Sequence, residues 1–224
     1  MLRNPIVAGL LTLLIGGCGA SPLPSPGQPT ETPIVNASPL NSPVSTPREL
    51  PAGSAALPPA TYMRSDFEPR VSFRVAEGWV TGTVADGFFD VQQDQGTPNA
   101  IAVQFATVEG IVGANGQVVA ATTAQAAART IHENDGIDLI DESDSRIGGL
   151  AGSNVVVENR VETQASVLQL RLGMLGIDPQ RRLWISLFDT PNGVLAIMVG
   201  GSVAKWDDAL TTAEPVLESI VIGG

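Results

Sequence analysis

The chain has 224 residues, a formal net charge of −11 at pH 7, 43% hydrophobic residues and one cysteine. Nucleic acids and anionic lipid headgroups select basic surfaces, so this acidic balance argues against a nucleic-acid partner. A single cysteine forms no disulfide within the chain, and the folded part must therefore rely on its hydrophobic core.

The first 17 residues predict an export signal that ends at Cys18. Arg3 supplies a positive start, residues 6–14 are almost wholly apolar, and two glycines precede the cysteine. The apolar run is shorter than the roughly 20 residues that a membrane-spanning helix needs, and it suits a secretory signal. The ending resembles the lipobox of bacterial lipoproteins. The alternative is an ordinary secretory signal in which the cysteine is incidental.

The lipobox resemblance implies that the signal is cut after Gly17 and that Cys18 carries fatty acyl chains such as palmitate. The protein would then be attached to the cell membrane or the outer membrane, with the rest of the chain on the extracytoplasmic side. Cleavage removes Arg3 and no acidic residue, so the net charge of −11 becomes −12. Acylation of the only thiol leaves no cysteine as a nucleophile or a zinc ligand.

Residues 18–60 predict a disordered tether that follows the lipidated cysteine. Within residues 19–60 lie eleven of the 17 prolines, with small residues between them and only three charged residues. This composition has no apolar period that could pack a core, and proline favours extended geometry. We therefore expect one globular domain, residues 61–224, at the end of the tether. The alternative is a proline-rich ligand for a recognition domain.

The start of the domain alternates apolar and polar residues with a period of two. Residues 71–75 and 101–105 place Val, Ile and Phe on one face, which is typical of half-buried strands. The turns between strands are indicated by Gly78-Trp79, Asp86-Gly87 and Gly96-Thr97-Pro98.

Residues 122–134 have the composition of a helix. Thr122 and Gln125 stand at capping-box spacing, which predicts the helix start. Gly136 suits a left-handed residue just after the helix end.

Strand patterns return in residues 155–157, 167–172 and 183–188. The turn sequence at residues 189–193 predicts that residues 194–199 pair back antiparallel. Since residues 194–199 are all apolar, we expect a central strand that is covered on both faces.

A last helix is predicted after Ser202, with Pro215 breaking or kinking it unless a second helix starts at residue 211 or 212. The pattern as a whole predicts eight or nine strands. It indicates an α+β fold, in which an antiparallel β-sheet is flanked by two or three helices.

Two segments resemble PsbP-like domains, a superfamily that includes the extrinsic photosystem II subunit and many bacterial envelope lipoproteins. Residues 67–79 are similar to the opening strand and Gly-Trp turn of these domains, and residues 215–220 to their terminal helix-to-strand step. The resemblance spans residues 64–222. It implies an α/β sandwich and a binding or assembly factor, and it brings no catalytic residue.

Acid–base residues are scarce in the mature chain, which has one histidine. His132 lies at the end of the predicted helix, where a cation interacts favourably with the helix dipole, and we interpret it as a surface residue. The sequence contains no nucleophile elbow and no phosphate-binding loop. We predict no cofactor.

An acidic cluster occupies residues 133–144. Hard cations take carboxylate oxygens, so Asp138, Asp141 and Asp144 are candidate metal ligands, although the spacing is not that of an EF-hand. The alternative is a solvated edge of a strand, because apolar residues interleave with the acids.

Three aromatic residues are candidates for binding: Trp184, Phe88 and Trp79. The alternative is that they fill the core, because the domain has few aromatic residues. Trp184 is out of phase with Leu183 and Ile185, so its ring should face the opposite side of the sheet.

The sequence favours a monomeric, membrane-anchored lipoprotein of the cell envelope that binds another envelope protein or a small ligand without catalysis. A metal-dependent hydrolase or cation-binding protein that uses residues 133–144 is the alternative. A third possibility is a purely structural envelope protein.

Overall fold

The structure, a computed structural model, describes residues 46–223. The predicted signal, the predicted lipidation site at Cys18 and residues 18–45 of the predicted tether lie outside this range. No helix within residues 46–223 is long and apolar enough to cross a membrane.

This part of the chain forms fourteen strands and two α-helices. The helices are α1 (Ala124–His132) and α2 (Trp206–Glu218). In chain order, the strands are β1 (Arg48–Glu49), β2 (Ala60–Arg64), β3 (Val71–Val75), β4 (Val80–Ala85), β5 (Phe88–Gln93), β6 (Ile101–Val112), β7 (Val118–Ala120), β8 (Ile137–Ile147), β9 (Leu150–Asn159), β10 (Ala165–Leu170), β11 (Gly173–Ile177), β12 (Arg181–Thr190), β13 (Gly193–Ser202) and β14 (Val221–Ile222).

The strands form two sheets. The smaller sheet has the order β1-β2-β3-β14, and the larger follows the path β11-β10-β6-β13-β12-β9-β8. Three further strands of the large sheet lie off this path: β5 and β7 each pair with β6, and β4 pairs with β5. The pairing of β1 with β2 is parallel, and the other strand pairings in residues 46–223 are antiparallel. The predicted antiparallel α+β architecture is confirmed. The number of strands exceeds the prediction, in part because β1, β7 and β14 have only two or three residues.

One face of the large sheet packs against the small sheet and helix α2, and we call it the α2 face. Phe73 of β3 stacks on Phe89 and Phe105 of the large sheet, with ring centroids 6.0 and 5.2 Å apart. Phe67 meets Phe89 edge-on, with centroids 4.9 Å apart. Aromatic pairs of this kind contribute about 0.5–1.5 kcal/mol beyond the area they bury. The two sheets are therefore joined by a continuous phenylalanine cluster.

The opposite face, which we call the α1 face, is covered by helix α1. Its buried residues are mainly small alanines, with Ile131 at the end of the stripe. Small side chains let the helix lie close to β6, β9 and β12, which it contacts. Strand β13 lies between the two covers, and residues 194–199 are at most 1% exposed. The predicted central strand, covered on both faces, is confirmed.

Helix α1 is capped by other residues than the sequence suggested. The side chain of Thr123, not Thr122, accepts a hydrogen bond from the Ala126 N–H at 3.1 Å. Gly136 is not left-handed. Instead, the buried Asn134 organises the helix end, because its side chain donates to the Ser166 carbonyl and accepts from the Gly136 N–H.

Helix α2 is continuous through Pro215, so the predicted interruption is absent. The buried stripe of Ala209, Ala213 and Val216 extends past the proline and packs into the α2-face core. Packing of this stripe outweighs the hydrogen bond that proline cannot donate.

The packed domain begins earlier than residue 61. Strand β1 pairs with β2, and the N–H groups of Leu50 and Leu57 donate to carbonyls of Met63 and Trp79, both at 2.8 Å. The Leu50 and Leu57 side chains are 1% and 3% exposed and belong to the α2-face core. Two leucines among prolines form no periodic pattern, which is why the sequence placed this segment in the tether.

Because Leu57 is buried, Leu57→Ala should lower the free energy of unfolding by about 2–5 kcal/mol. Removal of residues 1–60 should destabilise the domain relative to removal of residues 1–45. Urea unfolding of purified proteins measures both effects. The control is Leu172→Ala, because Leu172 is 50% exposed. Equal stability of the two truncated proteins would show that residues 46–60 add nothing to the fold.

Asp90 of β5 is a buried carboxylate that is 1% exposed. Its oxygens accept hydrogen bonds from the Thr83 N–H and the Gln92 side chain. Gly82 lies against it, and any Cβ at this position would collide with both carboxylate oxygens. Desolvation raises the pKa of Asp90 above its ordinary value of 3.8, although the two hydrogen bonds act in the opposite direction.

Since the pKa of Asp90 is higher in the folded state than in the unfolded state, the stability it contributes is complete below the unfolded pKa. That contribution is lost as the pH rises through the folded pKa. The difference in melting temperature between Asp90→Asn and the unaltered protein should therefore shift in favour of the variant as the pH rises above about 4, the ordinary pKa of aspartate. Thermal melts at several pH values measure this difference, and Asp207→Asn controls for the lost charge. A difference that does not change with pH would contradict the expectation.

Candidate interaction surface

Strand β8 is a long edge strand. Its eleven residues, Ile137–Ile147, pair with β9 across a tight turn in which Gly148 and Gly149 have φ of 57° and 86°. Two successive left-handed residues suit the tight hairpin turn that twists with its strands. Strand β8 ends the path of the large sheet, and within residues 46–223 no other strand pairs with it. Its second side therefore presents backbone N–H and C=O groups outward.

A β-bulge divides this edge. The ladder passes from the pair Leu139–Val157 directly to the pair Asp141–Val156, which leaves Ile140 as the extra residue. A bulge shifts the alternation of side chains by one. Before Ile140, the even-numbered residues of β8 therefore point to the α2 face, and after Ile140 the odd-numbered residues do.

Four exposed acids of β8 are consequently divided between the two faces of the sheet. Asp138 and Asp141 stand opposite residues of the α2 face, whereas Glu142 and Asp144 stand opposite Val155 and Ser153 of the α1 face. The Asp138 Oδ1 lies 3.7 Å from the Arg160 Nε, and the Glu142 Oε2 lies 3.5 Å from the His132 Nε2. We call this strand with its four acids the acidic edge.

The structure does not bring the three candidate metal ligands together. Asp138 and Asp141 lie on the α2 face, and Asp144 lies on the α1 face. Within residues 46–223, no group of three His, Cys, Asp or Glu side chains is placed to hold a metal ion. The predicted solvated strand edge, by contrast, matches the exposed acids of β8.

A groove of about 350 Å³ runs between helix α1 and the acidic edge. Gln125 and Arg129 line it from the helix, and Glu142 and Asp144 line it from the strand. His132 lies near it, with Nε2 3.5 Å from the Glu142 Oε2. The sequence did not indicate that His132 meets the acidic cluster, because the contact depends on how α1 packs across β9.

On the α2 face, buried polar groups hold the acidic edge in place. Ser186 of β12 is fully buried, and its Oγ lies 2.7 Å from the Ser145 Oγ of β8. Asn154 of β9 donates to the Ser143 Oγ at 3.2 Å. A hydrogen bond contributes about 0.5–1.5 kcal/mol, and leaving a buried partner unsatisfied costs about 1–3 kcal/mol. Polar side chains of β8, β9 and β12 thus fix the acidic edge, whereas β13, further inside the sheet, has only apolar residues at 194–199.

The three aromatic candidates occupy different environments. Trp79 and Phe88 are 2% and 5% exposed and belong to the α2-face and α1-face cores, so neither ring can contact a partner directly. Trp184 is half-buried on the α2 face, opposite in direction to Leu183 and Ile185, which confirms its predicted phase. Trp184 alone of the three keeps accessible surface.

A second polar cavity, of about 490 Å³, lies where four connections between strands meet. It is lined by Asp66, Glu68, Asp86, Gly87, Thr107, Arg171 and Asn192. Arg171 is already paired, with Nη1 2.7 Å from the Asp86 Oδ2 and Nε 3.5 Å from the Glu109 Oε1. The hydrogen bond to Asp86 is the largest cause that raises the pKa of Arg171. Sequence reasoning missed this cavity because its residues come from distant segments.

No protein-family model matches the sequence. Among curated proteins, too, no match is found.

Solved structures that resemble the chain have low sequence identity. The cyanobacterial PsbP (CyanoP) of Synechocystis has 13% identity, covers 76% of this chain and 94% of its own, and gives a TM-score of 0.40. LpqN of Mycobacterium tuberculosis, described as involved in cell envelope biogenesis, has 9% identity, with coverage of 77% and 91% and a TM-score of 0.37. A protein of Bacteroides thetaiotaomicron has 12% identity, with coverage of 69% and 45% and a TM-score of 0.33.

Proposed function

We propose that this chain is a membrane-anchored bacterial lipoprotein whose domain is a non-enzymatic binding module of the cell envelope. The support for the anchor is the short apolar segment that ends in Gly-Gly-Cys18. The acyl chains on Cys18 hold the protein on the extracytoplasmic side of the membrane. Two acyl chains are enough for stable attachment, whereas one chain alone binds weakly.

The part of the predicted tether that precedes the described residues, residues 19–45, would set the distance from the membrane. Its 27 residues span about 85 Å if they are extended as polyproline II and about 30 Å as a flexible coil. Either length lets the domain meet a partner that projects from the membrane.

The observation that carries the binding role is the acidic edge. It combines eleven residues of strand that are unpaired on one side in the described chain with four exposed carboxylates. A surface of this length and charge suits a cationic protein better than a small ligand, because a small ligand needs a concave pocket with convergent groups. The partner is therefore an envelope protein with a basic segment.

The alternative of a metal-dependent hydrolase or cation-binding protein gains no support from the geometry. Its acids diverge onto two faces of the sheet, and Asp144 is separated from Asp138 and Asp141 by the strand itself. Hard cations require several oxygen ligands around one point.

Cys18→Ser should abolish lipidation, so that the protein stays unprocessed or is released from the membrane. Cell fractionation followed by a carbonate wash measures this, with Ser21→Ala as the matched control beside the cleavage site. A Cys18→Ser protein that is still cut after Gly17 and still fractionates with washed membranes would refute the anchor.

The unlipidated mature chain, residues 18–224 with Cys18→Ser, should retain an envelope protein in affinity capture. Asp141→Asn with Asp144→Asn should reduce the amount retained, because these changes remove two charges from the acidic edge. Glu214→Gln with Glu218→Gln removes the same charge from the exposed side of α2 and should not reduce it. Quantitative mass spectrometry of the captured proteins measures both effects. Absence of any retained envelope protein would overturn the binding role.

A further inference from the structure

We propose that the acidic edge binds its partner by strand addition. An extended segment with adjacent basic residues pairs with the free side of β8 and lengthens the large sheet. This inference rests on the proposed binding function and specifies the kind of partner and the way it is held.

The backbone of β8 supplies the first part of the argument. After the bulge at Ile140, residues 141–147 continue as a regular strand, paired residue by residue with β9. At roughly 3.4 Å per residue this run is about 24 Å long, which accommodates a peptide of about seven residues. The free side of an edge strand is a template for another strand, and several peptide-binding domains use it in this way.

The same run is already fixed in position. Ser145 is hydrogen-bonded to the buried Ser186 of β12, and Ser143 accepts a hydrogen bond from Asn154 of β9. Both contacts hold β8 to the strands next to it in the sheet. Little order has to be gained when a further strand pairs with it. A preformed strand binds more tightly than one that must first become ordered.

Charge identifies the partner. Asp141 points to the α2 face and Asp144 to the α1 face, and within residues 46–223 neither has a Lys, Arg or His side chain at ion-pair distance, 4 Å. Successive side chains of an added strand also point to alternate faces. Two adjacent basic residues in the partner can therefore reach carboxylates on both faces at once.

The exposed apolar residues at the bulge add a second preference. Leu139 and Ile140 are 43% and 46% exposed and lie immediately before the regular run. A partner segment that carries an aliphatic residue beside its basic residues can cover them. The predicted segment is thus a mixture of Lys or Arg with Val or Ile.

Two other occupants fit the acidic edge poorly. A second copy would bring a strand that carries four acids and only one basic residue, Arg146, so the two edges repel each other through their net negative charge. The tether is also unsuitable, because proline cannot donate to a ladder. Between residues 18 and 45 the longest stretch without proline is residues 34–38, and the region contains no Lys or Arg.

The test titrates the acetylated, amidated peptide Lys-Arg-Val-Lys-Arg-Val-Lys onto the unlipidated mature chain with Cys18→Ser. Strand addition should slow hydrogen exchange at alternate amides of residues 141–147, because only alternate N–H groups face the added strand. Asp141→Asn with Asp144→Asn should weaken peptide binding about tenfold. Glu214→Gln with Glu218→Gln, which causes the same change of net charge, should leave the affinity within about twofold.

A peptide of the same sequence with methylated backbone nitrogens keeps its charge and should lose binding, because it cannot donate to β8. Absence of peptide binding, binding without protection of β8 amides, or equal weakening by both double variants would each overturn strand addition. Capture of an envelope protein that does not depend on Asp141 and Asp144 would overturn strand addition while leaving the proposed binding function in place. Failure to retain any envelope protein would overturn that function.

Discussion

Burial of strand β13 on both faces is the constraint on which the rest of the fold depends. Residues 194–199 alternate between two hydrophobic cores, and β13 pairs with β6 on one side and β12 on the other. An apolar strand of this kind is stable only if both faces of the sheet are covered. The small sheet with α2 covers one face and α1 covers the other. The chain thus needs both layers to keep one strand dry.

The covers are narrower than the sheet, and this accounts for the character of its far edge. Along one row of the α2 face, the side chains change from the buried Ile197 of β13 to the polar Ser186, Asn154 and Ser143, and β8 as a whole carries exposed acids. Acids on the outermost strand also keep copies of the protein from pairing edge to edge. The surface that we propose for binding therefore arises where the hydrophobic layers end.

Sequence patterns predicted the elements whose stability is local or strongly periodic. The apolar run of β13, the alternation of β3 and β6, and the phase of Trp184 follow from side-chain alternation alone. The patterns failed where tertiary contacts decide the outcome. Leu50 and Leu57 are buried only because they join the α2-face core beside Met63 and Trp79, and Thr123 rather than Thr122 caps α1. Likewise, the meeting of His132 with Glu142 depends on helix packing, which no local period encodes.

The short strand β1 has a mechanical consequence. It pairs with β2 at only two positions, and the proposed tether to the membrane precedes it in the chain. Tension applied through the tether would therefore act first on β1 and Leu50, well before it reaches the phenylalanine cluster. Detachment of residues 46–59 would lengthen the tether by about 45–50 Å. The domain could thus yield to a pull by losing Leu50 and Leu57 from its α2-face core, while the phenylalanine cluster and the α1-face core stay packed.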